Sequence, residues 1–277
     1  MLTALHIKET ESNSAFQRVF SSFRRNSVKV RIKENSDVQV KIIEVTKRRK
    51  ALNWSKLDKY IGAQRNRLLC DAKTKLPKGR SYKRFFCDDY KHQLCINLSI
   101  SLLSSLNDCT LKVGFVDMKM QFDSVINYLL KYIDTLTVVT EKTDEYMEIA
   151  DQLLEETGAP LRISKSTKAL ANCDLIIAPN GLYFDFIPKH NAVILTDRAI
   201  DKAIDCVVIH DYDIVLPKDI NSLCPEFLNR TYFASALYCV EKMYQLGSLI
   251  PSMCLSSNSV LTISSLKNQL KKLSDKS

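Results

Sequence analysis

The sequence predicts a mixed α/β protein: a three-layer, mostly parallel, doubly wound sheet with a smaller N-terminal α+β domain. From residue 109 onward, short apolar runs alternate with amphipathic segments, and each connection between them is short. The apolar runs are continuous, which indicates strands that are covered on both faces. Before residue 109, two runs alternate with a period of two, which is typical of paired strands with one exposed face.

The N-terminal part, residues 1–108, contains short elements of both kinds. TALHI opens the chain, a helix is expected over Ala15–Phe23, and VKVRI and VQVKIIEV pair through the hairpin connection KENSD. Apolar spacing favours a helix over residues 52–70. A buried helix over residues 90–106 is expected to link this domain to the next.

The second part, residues 109–255, predicts a regular order of strand, helix, strand, helix, strand, helix, strand. The four strands are LKVGFVD, TLTVVT, LRIS and DLIIAP, and NAVILT and CVVIHDYDIVL extend the sheet. Asp123 and Thr143 are placed as helix N-caps, and Gly158 ends the second helix. A last long helix is expected over EFLNRTYFASALYCVEKMYQLG, and residues 256–277 form a C-terminal tail.

Positive charge is concentrated at the N-terminal end of the chain. The formal net charge is +9, with 22 Lys+Arg against 9 Asp+Glu in residues 1–90 and 18 against 22 in the rest. Basic residues interleaved with aromatics are typical of surfaces that bind phosphate backbones. The sequence therefore keeps nucleic acid as a partner through Lys47, Arg48, Arg49 and Lys50, with an ordinary solvated lysine-rich surface as the alternative.

The cysteines and the apolar runs indicate a cytoplasmic protein that contacts no membrane. Nine cysteines are spread over the chain, often within apolar runs, and most are therefore expected to be reduced, buried side chains. No apolar run has the length of a membrane span, and the first residues show no leader pattern. Cys87, His92 and Cys95 are the candidate metal ligands, but without any CxxC pair we expect no metal.

Three segments within residues 111–182 share their order with a known family: LKVGFVD, then LTVVTEKTDEYMEIADQLLEETGA with its C-terminal glycine, then DLIIAPNGL. They resemble the Rossmann NAD(P)-binding domain of the shikimate dehydrogenase and glutamyl-tRNA reductase type. The resemblance implies a Rossmann-like sheet with a dinucleotide bound through a glycine-rich loop after the first strand. It also implies that Glu141 would hold the adenosine ribose and Lys142 the 2′-phosphate of NADP. The alternative is that both are ordinary solvated residues of the loop after the second strand.

The loop after the first strand departs from that family pattern. Its three glycine positions fall on Asp117, Lys119 and Phe122, and Gly114 lies inside the strand, where it makes room for a neighbouring side chain. A carboxylate at Asp117 would repel a pyrophosphate. We therefore expect no cofactor, with NAD or NADP as the alternative. The cofactor-binding candidates for that alternative are Asp117, Lys119, Glu141, Lys142 and Asn180.

Candidate catalytic side chains are few. His190 and the neighbours His210 and Asp211 are expected at the sheet edge where open α/β folds bind ligands, either for general acid–base chemistry or as hydrogen-bonded strand ends. Three functions stay open: a non-catalytic or regulatory protein on a degenerate Rossmann-like domain, an NAD(P)-dependent oxidoreductase with an atypical phosphate loop, and nucleic-acid binding by the N-terminal domain. The partner is a small molecule or a protein, with a second copy of this chain also open.

Overall fold

The computed structural model describes most of the chain, and the described chain forms two compact units. The described residues are 1–9, 26–47, 52–79, 81–87, 89–106, 109–200, 204–241, 250–256 and 259–275. Unit 1 comprises Met1–Cys87 and Leu216–Met243, and unit 2 comprises Asp88–Val215 and Tyr244–Ser277. The helix predicted over Ala15–Phe23 lies outside the described residues.

The described residues form strands and α-helices that are numbered here in chain order. The strands are β1 (Leu2–Glu9), β2 (Ser27–Glu34), β3 (Gln39–Lys47), β4 (Leu69–Cys70), β5 (Val113–Val116), β6 (Leu136–Val139), β7 (Leu161–Ser164), β8 (Leu175–Ala178), β9 (Val193–Thr196), β10 (Val207–Asp213), β11 (Met253–Ser256) and β12 (Val260–Thr262). The α-helices are α1 (Trp54–Ile61), α2 (Asp89–Ser104), α3 (Ile126–Leu129), α4 (Thr143–Thr157), α5 (Lys218–Leu223), α6 (Arg230–Ala236) and α7 (Ile263–Ser274).

The division into units differs from the predicted domain boundaries, which stay a prediction. The chain passes from unit 1 to unit 2 after residue 87 and not after residue 108. Residues 216–243 also belong to unit 1. Aromatic side chains of this segment pack on the rest of unit 1 at the pairs His6–Phe227 and Phe85–Tyr232. The predicted tail also belongs to a unit, since β12 and α7 are part of unit 2.

Unit 1 is built on a four-stranded sheet in the order β2-β3-β1-β4. The predicted hairpin is confirmed: β2 and β3 are antiparallel, and the Asn35 side chain accepts hydrogen bonds from the Asp37 and Val38 N–H groups in the turn. Strand β1 runs parallel to both β3 and β4. Its Leu5 packs with Leu57 of α1, so the apolar core of unit 1 lies between this sheet and α1.

Two helices of unit 1 are shorter than the sequence predicts. Helix α1 ends at Gly62, whose φ of 64° is left-handed, and a 3₁₀ helix over Gly62–Arg67 then leads towards β4. The predicted long helix near the C-terminus begins only at α6, where the Asn229 side chain accepts hydrogen bonds from the Thr231 and Tyr232 N–H groups. A π-helical turn over Leu237–Glu241 follows it.

Unit 2 contains an eight-stranded sheet in the order β12-β11-β10-β9-β8-β5-β6-β7. Every neighbouring pair from β7 to β10 is parallel, whereas β11 and β12 are antiparallel additions at one side. Counted in chain order, the six parallel strands lie in the spatial order 3-2-1-4-5-6, which is the order of Rossmann folds. The predicted fold class is therefore confirmed, although neither β11 nor β12 was predicted from the sequence.

The helices of unit 2 agree with the predicted alternation in position but not always in length. Helix α2 is confirmed as a buried helix, and it contacts β8, β9 and β10. Helix α4 ends as predicted at Gly158, with a φ of 71°. The helix predicted to start at Asp123 is instead a 3₁₀ helix over Asp123–Val125 followed by the four-residue α3, and the Asp123 side chain caps neither. No helix within the described parts of the chain is long and apolar enough to cross a membrane.

Candidate functional site

The candidate site is the carboxyl edge of the parallel strands in unit 2. The strand order reverses between β5 and β8, which are neighbours in the sheet but are separated in sequence by β6 and β7. Open α/β sheets bind ligands outside the carboxyl ends of their strands at such a switch point. The segments that follow β5, β6, β8 and β9 are therefore the candidate ligand-binding segments.

Asp117 follows β5 directly, and its buried carboxylate is fully engaged with the loop that it begins. One carboxylate oxygen, Oδ1, accepts a hydrogen bond from the Gln121 N–H at 2.8 Å. The other, Oδ2, accepts one from the Phe122 N–H at 2.8 Å and one from the Tyr146 hydroxyl at 2.7 Å. The residue is only 3% exposed. The carboxylate therefore occupies N–H donors of the kind that a phosphate would need in this loop.

Tyr146, on α4, supports this arrangement from the other side. Burial raises the pKa of its hydroxyl, and the hydrogen bond to Asp117 together with the charge of that carboxylate raises the pKa further. The hydroxyl therefore stays protonated and donates to the carboxylate. A buried acceptor that loses such a donor costs about 1–3 kcal/mol, so the pair favours one conformation of the loop.

The rest of the loop is also specified by side chains and not by glycine. Met120 adopts a left-handed φ of 57°, which a glycine would adopt without strain. The Met118 carbonyl accepts a hydrogen bond from the Glu141 N–H at 3.2 Å. Across the switch point, the Asn180 amide donates to the Gln121 side-chain oxygen at 2.9 Å. The loops after β5, β6 and β8 are thus joined to one another by hydrogen bonds.

Gly114 has the role that the sequence predicts, which is to provide space inside the strand. A Cβ atom on Gly114 would lie 2.4 Å from Leu170 Cδ2 and 3.1 Å from Cys173 Sγ. Leu170 ends the 3₁₀ helix that follows β7, and both side chains belong to the buried core of the sheet. The glycine lets this segment pack closely on β5, and it takes no part in a phosphate loop.

A second polar cluster follows β9 and surrounds the carboxylate of Asp197. His92 Nε2, on α2, lies 3.3 Å from Asp197 Oδ2, and Arg198 Nε donates to the same oxygen at 3.2 Å. The Asp197 side chain is only 7% exposed, and its Oδ1 is buried without a hydrogen-bond partner among the described residues. The His92 ring also meets the Phe122 ring edge-on, with centroids 5.7 Å apart. This contact joins the cluster to the loop that Asp117 begins.

The pKa of Asp197 shows which of two opposing effects is larger. Burial would raise the pKa of this carboxyl, but the hydrogen bonds from His92 and Arg198 and the charge of Arg198 lower it by more, so the pKa is lowered from 3.8. The carboxylate is therefore charged at neutral pH. A histidine oriented by a buried carboxylate is an arrangement that supports proton transfer.

The remaining cofactor candidates lie at the surface of this edge. Glu141 and Lys142 follow β6 and are exposed, and Lys142 Nζ donates to Glu145 at 2.9 Å. Lys119 is exposed in the loop after β5. Asn180 is the candidate whose side chain bonds across the switch point. Dinucleotide binding by these residues stays a prediction.

The catalytic candidates are not brought together. His190 precedes β9 and therefore lies at the amino end of the strand, which corrects its predicted place at the carboxyl edge. Its Nδ1 is 2.5 Å from Oδ2 of the exposed Asp205 carboxylate. His210 lies within β10, and its Nδ1 is buried without a hydrogen-bond partner in the described chain. Asp211 pairs with Lys91 at 3.4 Å. Catalysis by these residues stays a prediction.

The candidate metal ligands have other partners in the structure. Cys87 forms a disulfide with Cys239, and the other seven cysteines are free, so the expectation that most cysteines are reduced is confirmed. His92 contacts Asp197, and burial raises the pKa of the Cys95 thiol to about 12, which disfavours the thiolate that binds metals. The described residues contain no group of three or more metal-binding side chains.

The predicted basic run is described only at its first residue. Lys47 Nζ donates to Glu9 at 2.6 Å, an exposed contact between neighbouring strands of unit 1. Arg48, Arg49 and Lys50 lie outside the described residues. Binding of nucleic acid by this run stays a prediction.

Asp197 was not among the predicted site residues, and its partner His92 was predicted only as a candidate metal ligand, although the sequence carries a signal for the aspartate. Both LKVGFVD and NAVILTD are buried strands that end directly in an aspartate. The carboxyl ends of parallel strands meet at one edge, so two such aspartates belong to the same side of the sheet. The partners of these aspartates, His92 and Tyr146, come from helices distant in sequence and leave no local pattern.

The fold and the site define a Rossmann-like domain in which a carboxylate of the chain itself occupies the phosphate-loop position. No known protein family matches the sequence, and no curated protein sequence matches it. Among solved structures, the chain is similar to L-tryptophan dehydrogenase from Nostoc punctiforme, with a TM-score of 0.33 and 9% sequence identity over 99% of this chain and 79% of that one. A likeness at this level carries no argument, and the fold assignment depends on the strand order.

Proposed function

We propose that this protein is a non-catalytic or regulatory binding protein whose Rossmann-like sheet serves a ligand or partner other than a dinucleotide. The observation that carries the proposal is the Asp117 carboxylate, which accepts hydrogen bonds from two backbone N–H groups of the loop after β5 and from Tyr146. A dinucleotide would have to compete for those N–H groups with a carboxylate that is already in place.

Charge adds to this competition. A phosphate oxygen about 4 Å from the carboxylate would be repelled by about 1 kcal/mol in water and by about 4 kcal/mol at the effective dielectric of a protein surface. Lys119 is exposed in the same loop and offers one compensating charge. One exposed lysine does not replace the converging N–H groups of a phosphate loop.

The short helix after β5 supports the same conclusion. In dinucleotide-binding folds the pyrophosphate sits at the N-terminus of a helix, where free N–H groups and aligned peptide dipoles attract it. Here the loop leads into a three-residue 3₁₀ helix and the four-residue α3. So short an element sums few peptide dipoles, and the electrostatic attraction for a phosphate is correspondingly weak.

A thermal-shift and calorimetric titration with NAD⁺, NADH, NADP⁺ and NADPH tests the proposal. We expect no change in melting temperature and no binding heat at millimolar dinucleotide. A shift of several degrees with any one of them would overturn the proposal.

The second candidate is an NAD(P)-dependent oxidoreductase, favoured by the Rossmann strand order together with the exposed Glu141 and Lys142 at the end of β6. It predicts micromolar dinucleotide binding that Glu141→Ala or Lys119→Ala abolishes. Glu148→Ala, which removes an exposed carboxylate from the middle of α4, is the matched control. Binding that persists in both test variants would contradict this candidate.

The third candidate, nucleic-acid binding by the N-terminal domain, is favoured by the excess of basic residues in residues 1–90. It predicts an affinity that falls steeply with salt concentration. Replacing Lys47, Arg48, Arg49 and Lys50 together with alanine should reduce the salt dependence. An unchanged salt dependence in that variant would count against this surface.

A further inference from the structure

A cavity of about 410 Å³ lies on the sheet of unit 1. Successive strand residues point to opposite faces, so His6 and Ile42 lie on the face opposite Leu5 and Ile43, which pack with α1. Phe227, from the segment between α5 and α6, forms one wall. Small-molecule sites have volumes of about 300–1,000 Å³, so this cavity has the size of a small ligand.

The cavity contains an aromatic platform. The His6 and Phe227 rings are stacked, with centroids 4.4 Å apart and planes 19° from parallel. Burial lowers the pKa of His6 from 6.5, and the nearby charge of Lys8 lowers it further, while the carboxylates of Glu44 and Asp71 act in the opposite direction. The imidazole is therefore mostly neutral at pH 7, and the stacked pair forms an uncharged part of the cavity lining.

Among the described residues, cations outnumber carboxylates around this platform. Lys8, Arg31 and Lys33 line the cavity together with Glu44 and Glu226. Lys8 Nζ and Arg31 Nη2 lie 3.8 Å and 3.1 Å from the same Glu44 carboxylate, so two cations share one anion. Their side chains are 51% and 63% exposed, which leaves N–H donors accessible to a second anion.

We propose that this cavity binds a small organic anion, with its phosphate or carboxylate group on the exposed N–H donors of Lys8 and Arg31 that Glu44 leaves accessible and a planar ring against the stacked pair of His6 and Phe227. Lys8 contributes a mobile point charge, and Arg31 contributes a planar fork of donors that suits two-oxygen groups. The stacked rings can contact a planar ring of the ligand, and an inorganic ion has no such ring. Ligands with both parts should therefore bind more tightly than either part alone.

Phenyl phosphate is the probe, with inorganic phosphate as the reference lacking the ring. We expect phenyl phosphate to bind more tightly than phosphate in a calorimetric titration at low salt. The His6 ring protons, followed by NMR across the pH range, should report a higher pKa when the probe is bound, because a nearby anion stabilises the imidazolium. Equal affinity for the two probes would overturn the proposed ring contact.

Three variants test the parts of the cavity separately. Lys8→Ala and Arg31→Ala should each weaken phenyl phosphate binding by about fivefold, the effect expected when one charge about 4 Å from the ligand is lost in water. Phe227→Leu should weaken phenyl phosphate and leave inorganic phosphate unchanged. Circular dichroism melting of each variant establishes that unit 1 still folds.

Lys41→Ala is the matched control, because Lys41 is a β3 neighbour of Ile42 and therefore points to the opposite face of the sheet. It removes the same charge from the same sheet and should leave binding unchanged. Equal losses in Lys41→Ala and Lys8→Ala would mean general attraction to the charge of unit 1 and would overturn the proposal. A single-stranded oligoribonucleotide could also bind more tightly than phenyl phosphate. If Lys8→Ala and Phe227→Leu each abolish that binding, the ligand of the cavity is a nucleic acid and not a small anion.

Discussion

Replacing Asp117 with alanine is the sharpest test of how the loop after β5 is held. The change removes one buried carboxylate that accepts hydrogen bonds from the N–H groups of Gln121 and Phe122 and from the Tyr146 hydroxyl. It adds no bulk, since alanine is smaller than aspartate. The predicted loss of stability therefore comes from three hydrogen-bond donors that all lose the same carboxylate acceptor.

The magnitude follows from the number of donors and their burial. Hydrogen bonds to a charged group contribute about 1.5–3 kcal/mol each, and partial access of water to the two N–H groups reduces that value. Tyr146 is fully buried, so its hydroxyl loses its acceptor with little compensation. We expect unfolding of unit 2 to become easier by about 3–5 kcal/mol, or about 6–20 °C in melting temperature for a domain of this size.

The assay is urea denaturation followed by circular dichroism, with scanning calorimetry for the melting temperature. Asp123→Ala is the matched control, because Asp123 is an exposed aspartate near the same loop whose side chain caps no helix. It should change the unfolding free energy by less than about 0.5 kcal/mol. Tyr146→Phe, which removes one of the three hydrogen bonds, should fall between the control and Asp117→Ala.

Two outcomes would refute this reasoning. Surface substitutions ordinarily change the unfolding free energy by about 0.5 kcal/mol or less. If Asp117→Ala changes it by no more than that, the carboxylate does not hold the loop. An Asp117→Asn variant as stable as the wild type would mean the same. The asparagine amide would turn an N–H donor towards a backbone N–H donor and should lose most of the stabilisation.

Three further predictions concern other parts of the structure. Reducing the Cys87–Cys239 disulfide, or replacing both cysteines with serine, should lower the unfolding free energy by up to about 5 kcal/mol, because the bond closes a loop with a sequence separation of 152 residues. Calorimetry with and without reductant measures this change. Gly114→Ala should destabilise unit 2 by about 1–3 kcal/mol in urea denaturation, because its Cβ would lie 2.4 Å from Leu170 Cδ2. The lowered pKa of Asp197 means that its carboxylate stabilises the folded state above the ordinary pKa of 3.8, and this contribution is lost as the pH falls through the lower folded-state pKa. The stability difference between the wild type and Asp197→Asn should therefore shrink as the pH falls below the ordinary pKa of 3.8.

The strand order of unit 2 shows how far local sequence patterns reach. Continuous apolar runs such as VGFV and LIIA predict strands buried on both faces, and such strands belong to parallel sheets with helices on either side. Short connections then restrict the order in which the strands can pair. The parallel sheet was predictable for this reason, and so was the role of Gly114, since a glycine inside a buried strand provides space.

The missed features depend on contacts between residues distant in sequence. Unit 1 is completed by residues 216–243, and no local pattern shows that Phe227 packs on a histidine near the N-terminus. Helix α3 is short although its apolar spacing predicts a longer helix, because tertiary packing overrides a weak local preference. The disulfide likewise joins cysteines whose spacing in the chain carries no signal.

The sequence by itself determined the alternation of strands and helices, and it determined that the loop after β5 lacks glycines, because periodicity and residue type are local properties. Only the tertiary structure decided what replaces the glycines. The partner of Asp117 on α4 and the partners of Asp197 come from separate elements that the parallel sheet brings to one edge. Hydrogen bonds between such elements depend on distances of a few ångströms, which residue order alone does not specify.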